Sequence, residues 1–352
     1  MIIRQKIAIR LAMEALYFSG AHRAMAARCG GLGVIFTLHR VRPARGDAFQ
    51  PNRFLEITPD FLERVVLRLR RGGLEFVNLD EAHRRLTRAD DPARFACLTF
   101  DDGYRDNLEW AYPVLKRHRV PFAIFVTPAF ADGTGHLWWQ TLETAIAEND
   151  SITVRIDGHE QGFACATTAD KHSAMRAIGD ALSAPGDEAK LRAAMADLAR
   201  RSNIDTDAAC ASACMTWREL ARLAADPLVT IGAHTMTHPK LRTLDADAAR
   251  YEISASADRI AGELGVRPDH FAFPYGDASA AGEREFGLAA ELGFKTALTT
   301  RPSVLTGDHR TRLTRLPRIS LNGEYQRLRH VTVLASGTAT ALWQRLRRPQ
   351  PA

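Results

Sequence analysis

The sequence predicts an α/β protein with parallel strands, and three observations carry that expectation. Apolar runs of strand length alternate with helix-patterned segments along most of the chain. Several of those runs end in acidic residues or histidines, as in a barrel whose chemistry sits at the carboxyl ends of its strands. A length of 352 residues, 46% hydrophobic and 25% charged, suits one barrel-sized domain with extensions.

The elements follow in order. Residues 1–30 open with Arg4, Lys6 and Arg10 ahead of apolar residues, but Glu14 interrupts the run, His22 and Arg23 follow, and no small-residue cleavage site is present. The stretch is too short and too charged to span a bilayer. Ile3, Ile7, Leu11 and Ala15, with Leu16 and Phe18, predict an amphipathic helix that packs on its own domain, and a membrane-surface role is the sharper alternative. Gly33 to Val41 reads as a buried strand ending in His39, a position that is more often structural. Phe61, Val65, Val66 and Leu69 set a helix from Thr58 to Arg71, capped by Thr58 and stopped by Gly72-Gly73. A short strand at 76–79 and a helix from Asp80 precede the central strand Leu98-Thr99-Phe100, which runs into Asp101-Asp102-Gly103. Leu108, Ala111, Tyr112 and Leu115 stripe a helix over 107–118, and 121–126 is another buried strand.

Residues 138–217 are expected to form an insertion over the barrel mouth. A hairpin arm is read at 151–158 and an Ala-rich helix at 171–201. Trp138 and Trp139 suit either stacking on a sugar ring or anchoring the insertion. Beyond it come a helix over 244–264 with Ile253 and Ile260 inward and strands at 295–299 and 316–320. The segment 331–352, with Trp343, Arg345, Arg347 and Arg348, reads as a frayed basic tail that would also suit a membrane interface.

The chemistry-bearing residues fall into two groups. Asp101 and Asp102 stand adjacent at a strand end, where alternation aims them in different directions, so one can bind a cation while the other handles a proton. Alone, Asp-Asp-Gly is usually a solvated turn. The second group, His234-Thr235-Met236-Thr237-His238, follows the apolar run 227–230. Two imidazoles four residues apart converge on one metal if the segment turns helically, and Asp102 would complete a two-His, one-carboxylate face with positions open for water and substrate.

The stretches Thr99 to Gly103, His234 to His238 and Phe273-Pro274-Tyr275-Gly276 resemble, in order, the first three motifs of the polysaccharide deacetylases, the NodB-homology or carbohydrate esterase family 4 enzymes. The likeness spans roughly residues 31–330. It implies a distorted (β/α) barrel of about seven strands, with the insertion between the first and second motifs. It also implies Asp101 as the proton-accepting base and a metal on Asp102, His234 and His238. Tyr275 would supply a main-chain N–H to the oxyanion, and Phe273 and Pro274 would border the substrate, with Trp138 as the further candidate that its own aromatic character offers. Thr37-Leu38-His39 resembles a permuted arrangement in which the strand-end histidine is the general acid, and no Leu-x-His motif follows residue 300. The family's arginine two places before the motif-three proline is Ala272 here. Arg318 is the replacement offered for orienting the base, and the family's fourth motif is not found.

The implied activity is metal-dependent removal of N-acetyl groups from an amino-sugar oligo- or polysaccharide of chitooligosaccharide or exopolysaccharide type, with Zn2+ first and Co2+, Ni2+ or Mn2+ as substitutes. An N-acetylated glycan or a lipid-linked oligosaccharide is the expected partner. A formamido sugar or cyclic ureide hydrolase, or a catalytically weak carbohydrate-binding protein, are the competing readings. The formal charge of +6 and pI near 9.2 allow anionic partners. The arginines read as dispersed, however, and no nucleic-acid-binding motif accompanies them. Five cysteines without zinc-ribbon spacing, and no leader, point to a cytoplasmic protein, with peripheral contact at the inner membrane face through the basic termini.

Overall fold

Two six-residue strands, buried on both faces, lie side by side at the centre of the molecule. They are β1 (Gly33–Leu38) and, after the two-residue strands β2 (Arg40–Val41), β3 (Glu56–Ile57) and β4 (Glu75–Phe76), β5 (Phe95–Phe100). They pair in parallel from Gly33 opposite Phe95 to Leu38 opposite Phe100. Burial on both faces is why these segments read as unbroken apolar runs. The structure is a computed structural model that describes residues 2–88, 93–182 and 188–347, without the side chains of 2–6, 346 and 347. The side chains of Ile3, Arg4 and Lys6, the residues 183–187 and the extreme basic end therefore lie outside the description.

Beyond β5 come β6 (Phe122–Val126), a separate antiparallel hairpin of β7 (Ser151–Ile156) and β8 (His159–Ala164), then β9 (Val229–Ala233), β10 (His270–Ala272), β11 (Thr296–Leu298) and β12 (Ile319–Ser320). The main sheet runs β11-β10-β9-β6-β5-β1-β12, with β4 beside the start of β5, and its pairings are parallel. Leu316 bridges Leu298, and three residues later Ile319 pairs with Phe36. One short stretch thus touches both ends of the path, and the sheet curls into the distorted barrel expected from the sequence.

The helices are amphipathic covers for this sheet. After α1 (Ile2–Phe18) and α2 (Ala21–Cys29), α3 (Pro59–Arg71) starts on the expected cap, with Thr58 Oγ1 accepting from Phe61 N–H at 3.2 Å. It buries Phe61, Val65, Val66 and Leu69. Next come α4 (Leu79–Arg88), α5 (Tyr112–Arg117) and the single turn α6 (Pro128–Ala131). The insertion supplies α7 (Trp138–Glu148), α8 (Thr168–Leu182), α9 (Glu188–Arg201) and α10 (Thr206–Ala213) around the β7–β8 hairpin. It has its own small core, which includes Leu142, Ile146, Val154, Ile178 and Leu198. The single Ala-rich helix expected over 171–201 is two helices. The chain returns to the barrel through α11 (Trp217–Ala224), α12 (Ala246–Leu264), which buries Ile253 and Ile260, and α13 (Glu283–Glu291).

Two expectations about the termini need correction. The segment read as a frayed tail contains α14 (Leu328–Ala335), with Val331 and Val333 buried, and α15 (Thr338–Arg347), which packs on α2. The helix α1 forms and packs on α14 and α2, but its apolar stripe does not face the domain. Among its described side chains Met13 is the buried one, while Ile7, Leu11 and Phe18 are 53%, 63% and 74% exposed. Residues nearly all round α1 are apolar or small, so spacing alone could not select the inward side. Among the described residues no helix is long and apolar enough to cross a membrane.

Candidate active site

The central strand ends in a turn that no ordinary strand exit would give. Asp102 and Gly103 both adopt left-handed backbone, at φ of 73° and 68°, which swings the Asp102 carboxylate away from that of Asp101. Asp102, His234 and His238 are all buried, and their ligand atoms lie within 4.8 Å of one another. Asp102 Oδ1 is 3.5 Å from His234 Nε2 and 3.2 Å from His238 Nε2.

The two imidazoles do not converge through a helix, as their spacing suggests. The segment after β9 is an irregular loop in which Thr235 and His238 take φ of 63° and 64°. Local bonds stabilise that path: Thr235 Oγ1 donates to His234 O at 2.6 Å and accepts from His238 N–H at 3.0 Å. Glu252 on α12 accepts from the Thr237 N–H and hydroxyl, and Arg192 of the insertion donates to Thr237 O at 2.8 Å. Phe130, Trp139 and Tyr275 surround the His238 ring, at 5.5, 5.5 and 5.1 Å between centroids.

The donor set fits a cation. His234 Nδ1–H donates to Ala272 O at 2.7 Å, so in the neutral ring the Nε2 lone pair faces the cluster. Asp102 Oδ1 is buried without a hydrogen-bond partner. A carboxylate oxygen and a ring lone pair facing each other across a dry site repel unless a proton or a cation lies between them. Burial opposes ionisation of Asp102, and imidazole protons on His234 and His238 would outweigh it and hold the carboxyl well below its ordinary value; a cation between the three would do the same.

Asp101 is occupied differently. Arg318, completely buried, reaches from the closing stretch of the barrel and sets Nη1 and Nη2 each 2.7 Å from one Asp101 oxygen. The guanidinium is itself aligned by Thr99 Oγ1 and Thr299 O, both at 3.0 Å, and Thr37 Oγ1 adds a 3.3 Å bond to Asp101 Oδ2. Burial opposes ionisation of Asp101, yet the charges of Arg318, His234 and His39 outweigh it and lower its pKa.

His39 follows the end of β1, close enough for both Asp101 and Asp102 to act on its ring. Burial lowers its pKa, with the two carboxylates opposing. Its carbonyl accepts from Asn107 Nδ2 at 2.8 Å, and the neighbouring Arg40 bonds Asp106 at 2.7 Å. This Asp106–Asn107 clamp holds the His39 strand end against the Asp101 turn, and sequence reading missed it. Tyr275 and Gly276 repeat the tandem left-handed turn, at φ of 59° and 64°. A Cβ on Gly276 would meet Thr300 N at 2.7 Å. Among the described residues the Tyr275 N–H donates no hydrogen bond, which leaves a free main-chain donor in the turn whose side-chain ring lies against His238.

The residues expected to touch substrate separate. Trp138 is half-buried, and its Nε1–H donates to Tyr275 Oη at 2.9 Å. Phe273 is 1% exposed and packs on Phe271 and Phe286, so its ring belongs to the core rather than to a substrate wall. Pro274 is buried beside it. Trp139, not singled out from Trp138 by sequence, is the indole against His238, and its Nε1–H donates to Tyr104 Oη at 3.0 Å.

A curled parallel sheet with an Asp-His-His cluster and a separate, arginine-held carboxylate at its strand ends is the architecture of a hydrolase. The chain belongs to the polysaccharide deacetylase family, whose profile matches residues 88–182 and 186–297, more than half of the sequence. It is accordingly a hydrolase acting on carbon–nitrogen bonds. No curated protein sequence matches the chain. Its fold is similar to that of a Streptococcus pyogenes deacetylase, PplD, solved with acetate, at 18% identity over 82% of this chain and 92% of that one, with a TM-score of 0.55. IcaB from Ammonifex degensii gives 18% identity, 87% and 97% coverage and a TM-score of 0.53. The BpsB deacetylase domain from Bordetella bronchiseptica gives 17%, 83% and 96%, and 0.51.

Proposed function

We propose that the protein removes acetyl groups from N-acetylated amino sugars of an oligo- or polysaccharide, free or lipid-linked, in a metal-dependent hydrolysis. The observation that carries this reading is the division of labour between adjacent carboxylates: Asp102 pointed at two imidazoles, Asp101 gripped by Arg318. Asp102, His234 and His238 would hold a divalent ion, Zn2+ first among Zn2+, Co2+, Ni2+ and Mn2+. Bound there, such an ion would supply Lewis acidity toward the carbonyl and would make a nearby water easier to deprotonate.

The chain's own residues do the rest. Asp101, kept ionised and oriented by Arg318, accepts the proton of the attacking water. The Tyr275 N–H donates to the oxygen that gains charge as the carbonyl becomes tetrahedral. His39 gives a proton to the amine nitrogen as its bond to the acetyl carbon breaks, and regains one as Asp101 is deprotonated. The amine leaves with acetic acid, whose proton passes to the amine or to solvent, so that acetate and an ammonium group are the products at neutral pH.

A polymeric substrate is favoured by the surface beside the cluster. A polar cavity of about 570 Å³ lies between the loop after β2 and α7, with Arg45, Asn52, Glu143 and Lys171 among its lining. It shares Trp139 with the Asp-His-His cluster, and its polar lining suits the hydroxyl groups of further sugars. The test is product release from a panel of N-acetylated and N-formylated amino-sugar oligomers. Acetate release that is abolished by Asp101→Asn is expected. Formate release alone, or full acetate release by the variant, would overturn the reading.

A further inference from the structure

The chain's positive charge is not spread over its surface. Residues 1–30 and 325–352 together contain ten Lys and Arg and a single acid, Glu14. That gives them a formal +9 and leaves the remaining residues at −3, against +6 for the whole. The fold gathers these two ends of the chain: α1 packs on α14 and α2, and α2 packs on α15. Glu14 is already engaged by Arg327, Arg329 and His330. Arg94, just before β5, donates to Gly30 O and Ala335 O at 2.7 and 2.8 Å. The ends of α2 and α14 thus meet the barrel beside the start of β5, while the start of α14 lies against α3, where Gln326 accepts from the Thr58 N–H and Arg327 reaches Glu14, so the annex flanks the barrel on its α3 side.

On that annex lies the exposed stripe of α1. Ile7, Leu11 and Phe18 fall within about 40° of one another around a helix with 3.6 residues per turn, and all three are more than half exposed. Arg10 on the same helix, and Arg23 and Arg28 on the adjoining α2, are exposed as well. Arg329 stacks over the Phe18 ring at 5.7 Å. A row of large apolar side chains in a strongly cationic field is the pattern of a helix that lies in the interfacial plane of an anionic bilayer.

We propose that α1, with the basic residues of the annex, docks the protein on a membrane surface rich in anionic phospholipid. Charge favours this occupant over a second copy of the chain, whose equally cationic annex would repel. The apolar row enters the acyl boundary and the neighbouring arginines meet lipid phosphates. This inference does not depend on the deacetylation proposed above, because its readout is lipid binding and not activity.

The experiment is co-sedimentation of the full chain with vesicles of phosphatidylglycerol and phosphatidylcholine, against vesicles of phosphatidylcholine alone. Binding to the anionic vesicles, weakened by high salt, is expected. The triple variant Ile7→Asp, Leu11→Asp, Phe18→Asp should lose at least about tenfold in partitioning. These side chains are exposed, so its circular dichroism and melting should stay near the parent's. A second variant, Arg10→Glu, Arg23→Glu, Arg28→Glu, should lose binding with the apolar row intact. A parent chain that stays in the supernatant with both vesicles, or a triple variant that binds like the parent, would overturn the proposal. So would a parent that is dimeric by light scattering and is made monomeric by the triple variant without any vesicle binding.

Discussion

Arg318 and Asp101, 217 positions apart, meet as fork and carboxylate with two matched bonds of 2.7 Å. Where the family's third motif has an arginine, this chain has Ala272, whose carbonyl instead fixes the His234 tautomer. The orienting cation arrives from the other side of the barrel, on the stretch that closes the sheet. Both groups are buried, so the pair is held by geometry rather than by solvent.

Arg318→Ala leaves a buried carboxylate unpaired and should cost about 3–5 kcal/mol of stability, read from denaturant melts. Arg318→Lys retains charge but loses the fork. It should retain metal and fold while turnover drops about 10- to 100-fold, a loss of roughly 1.4–2.8 kcal/mol in transition-state stabilisation. Because Arg318 lowers the Asp101 pKa, weakening the pair should move the acid limb of the rate profile to higher pH. An unchanged acid limb in Arg318→Lys would show that Arg318 does not govern the base.

Glu14 gives a pH signature of the annex. Its pKa is lowered, most by the bond from Arg329, with His330 adding to it. A carboxyl depressed in the folded state contributes stability above its unfolded pKa, near 4.5, and that contribution fades as pH falls through the lower folded value. Hydrogen exchange in α1 and α14 should therefore accelerate as pH is lowered below about 4.5, after correction for intrinsic exchange. Glu14→Gln should show the faster exchange already at neutral pH and little further change.

His39 tests the permuted assignment. His39→Ala should retain metal and lose about 10²- to 10⁴-fold in kcat, the usual range for a proton donor. The deficit should be smaller on an activated anilide, whose leaving amine needs less protonation. Equal losses on both substrates would remove His39 from the donor role.

Trp138 is placed to hold the Tyr275 turn. Trp138→Phe keeps the ring and deletes the donor to Tyr275 Oη. One neutral hydrogen bond of about 1 kcal/mol predicts a loss in kcat/KM of roughly fivefold. No change would mean that the Tyr275 turn is held without this bond.

Much of this arrangement was legible because strand ends announce themselves. Buried strands read as apolar runs, and the polar residues that interrupt them, Asp101-Asp102, His39 and His234, mark where the backbone leaves the sheet. What stayed hidden depends on contacts that periodicity does not encode. The path of the His234–His238 loop rests on two left-handed residues and a threonine bond, whereas the four-residue spacing suggests a helix. The reach of Arg318 follows from closure of the sheet through Leu316, which is a tertiary fact. The basic terminal segment lacks a long stripe because α14 and α15 are short and divide their contacts among α1, α2 and α3. Trp138 and Trp139 are neighbours in sequence, and only their helix tells which indole faces His238.

The central claim is that Asp102, His234 and His238 form one ion site beside a carboxylate that serves another purpose. Metal content by mass spectrometry of the purified protein, alongside Asp101→Asn, Asp102→Asn, His234→Ala and His238→Ala, tests it most directly. The account predicts about one equivalent of a divalent transition metal in the parent and in Asp101→Asn, and loss of it in the other three. A parent that hydrolyses its substrate at full rate without metal, or ligand variants that keep a full equivalent, would contradict it.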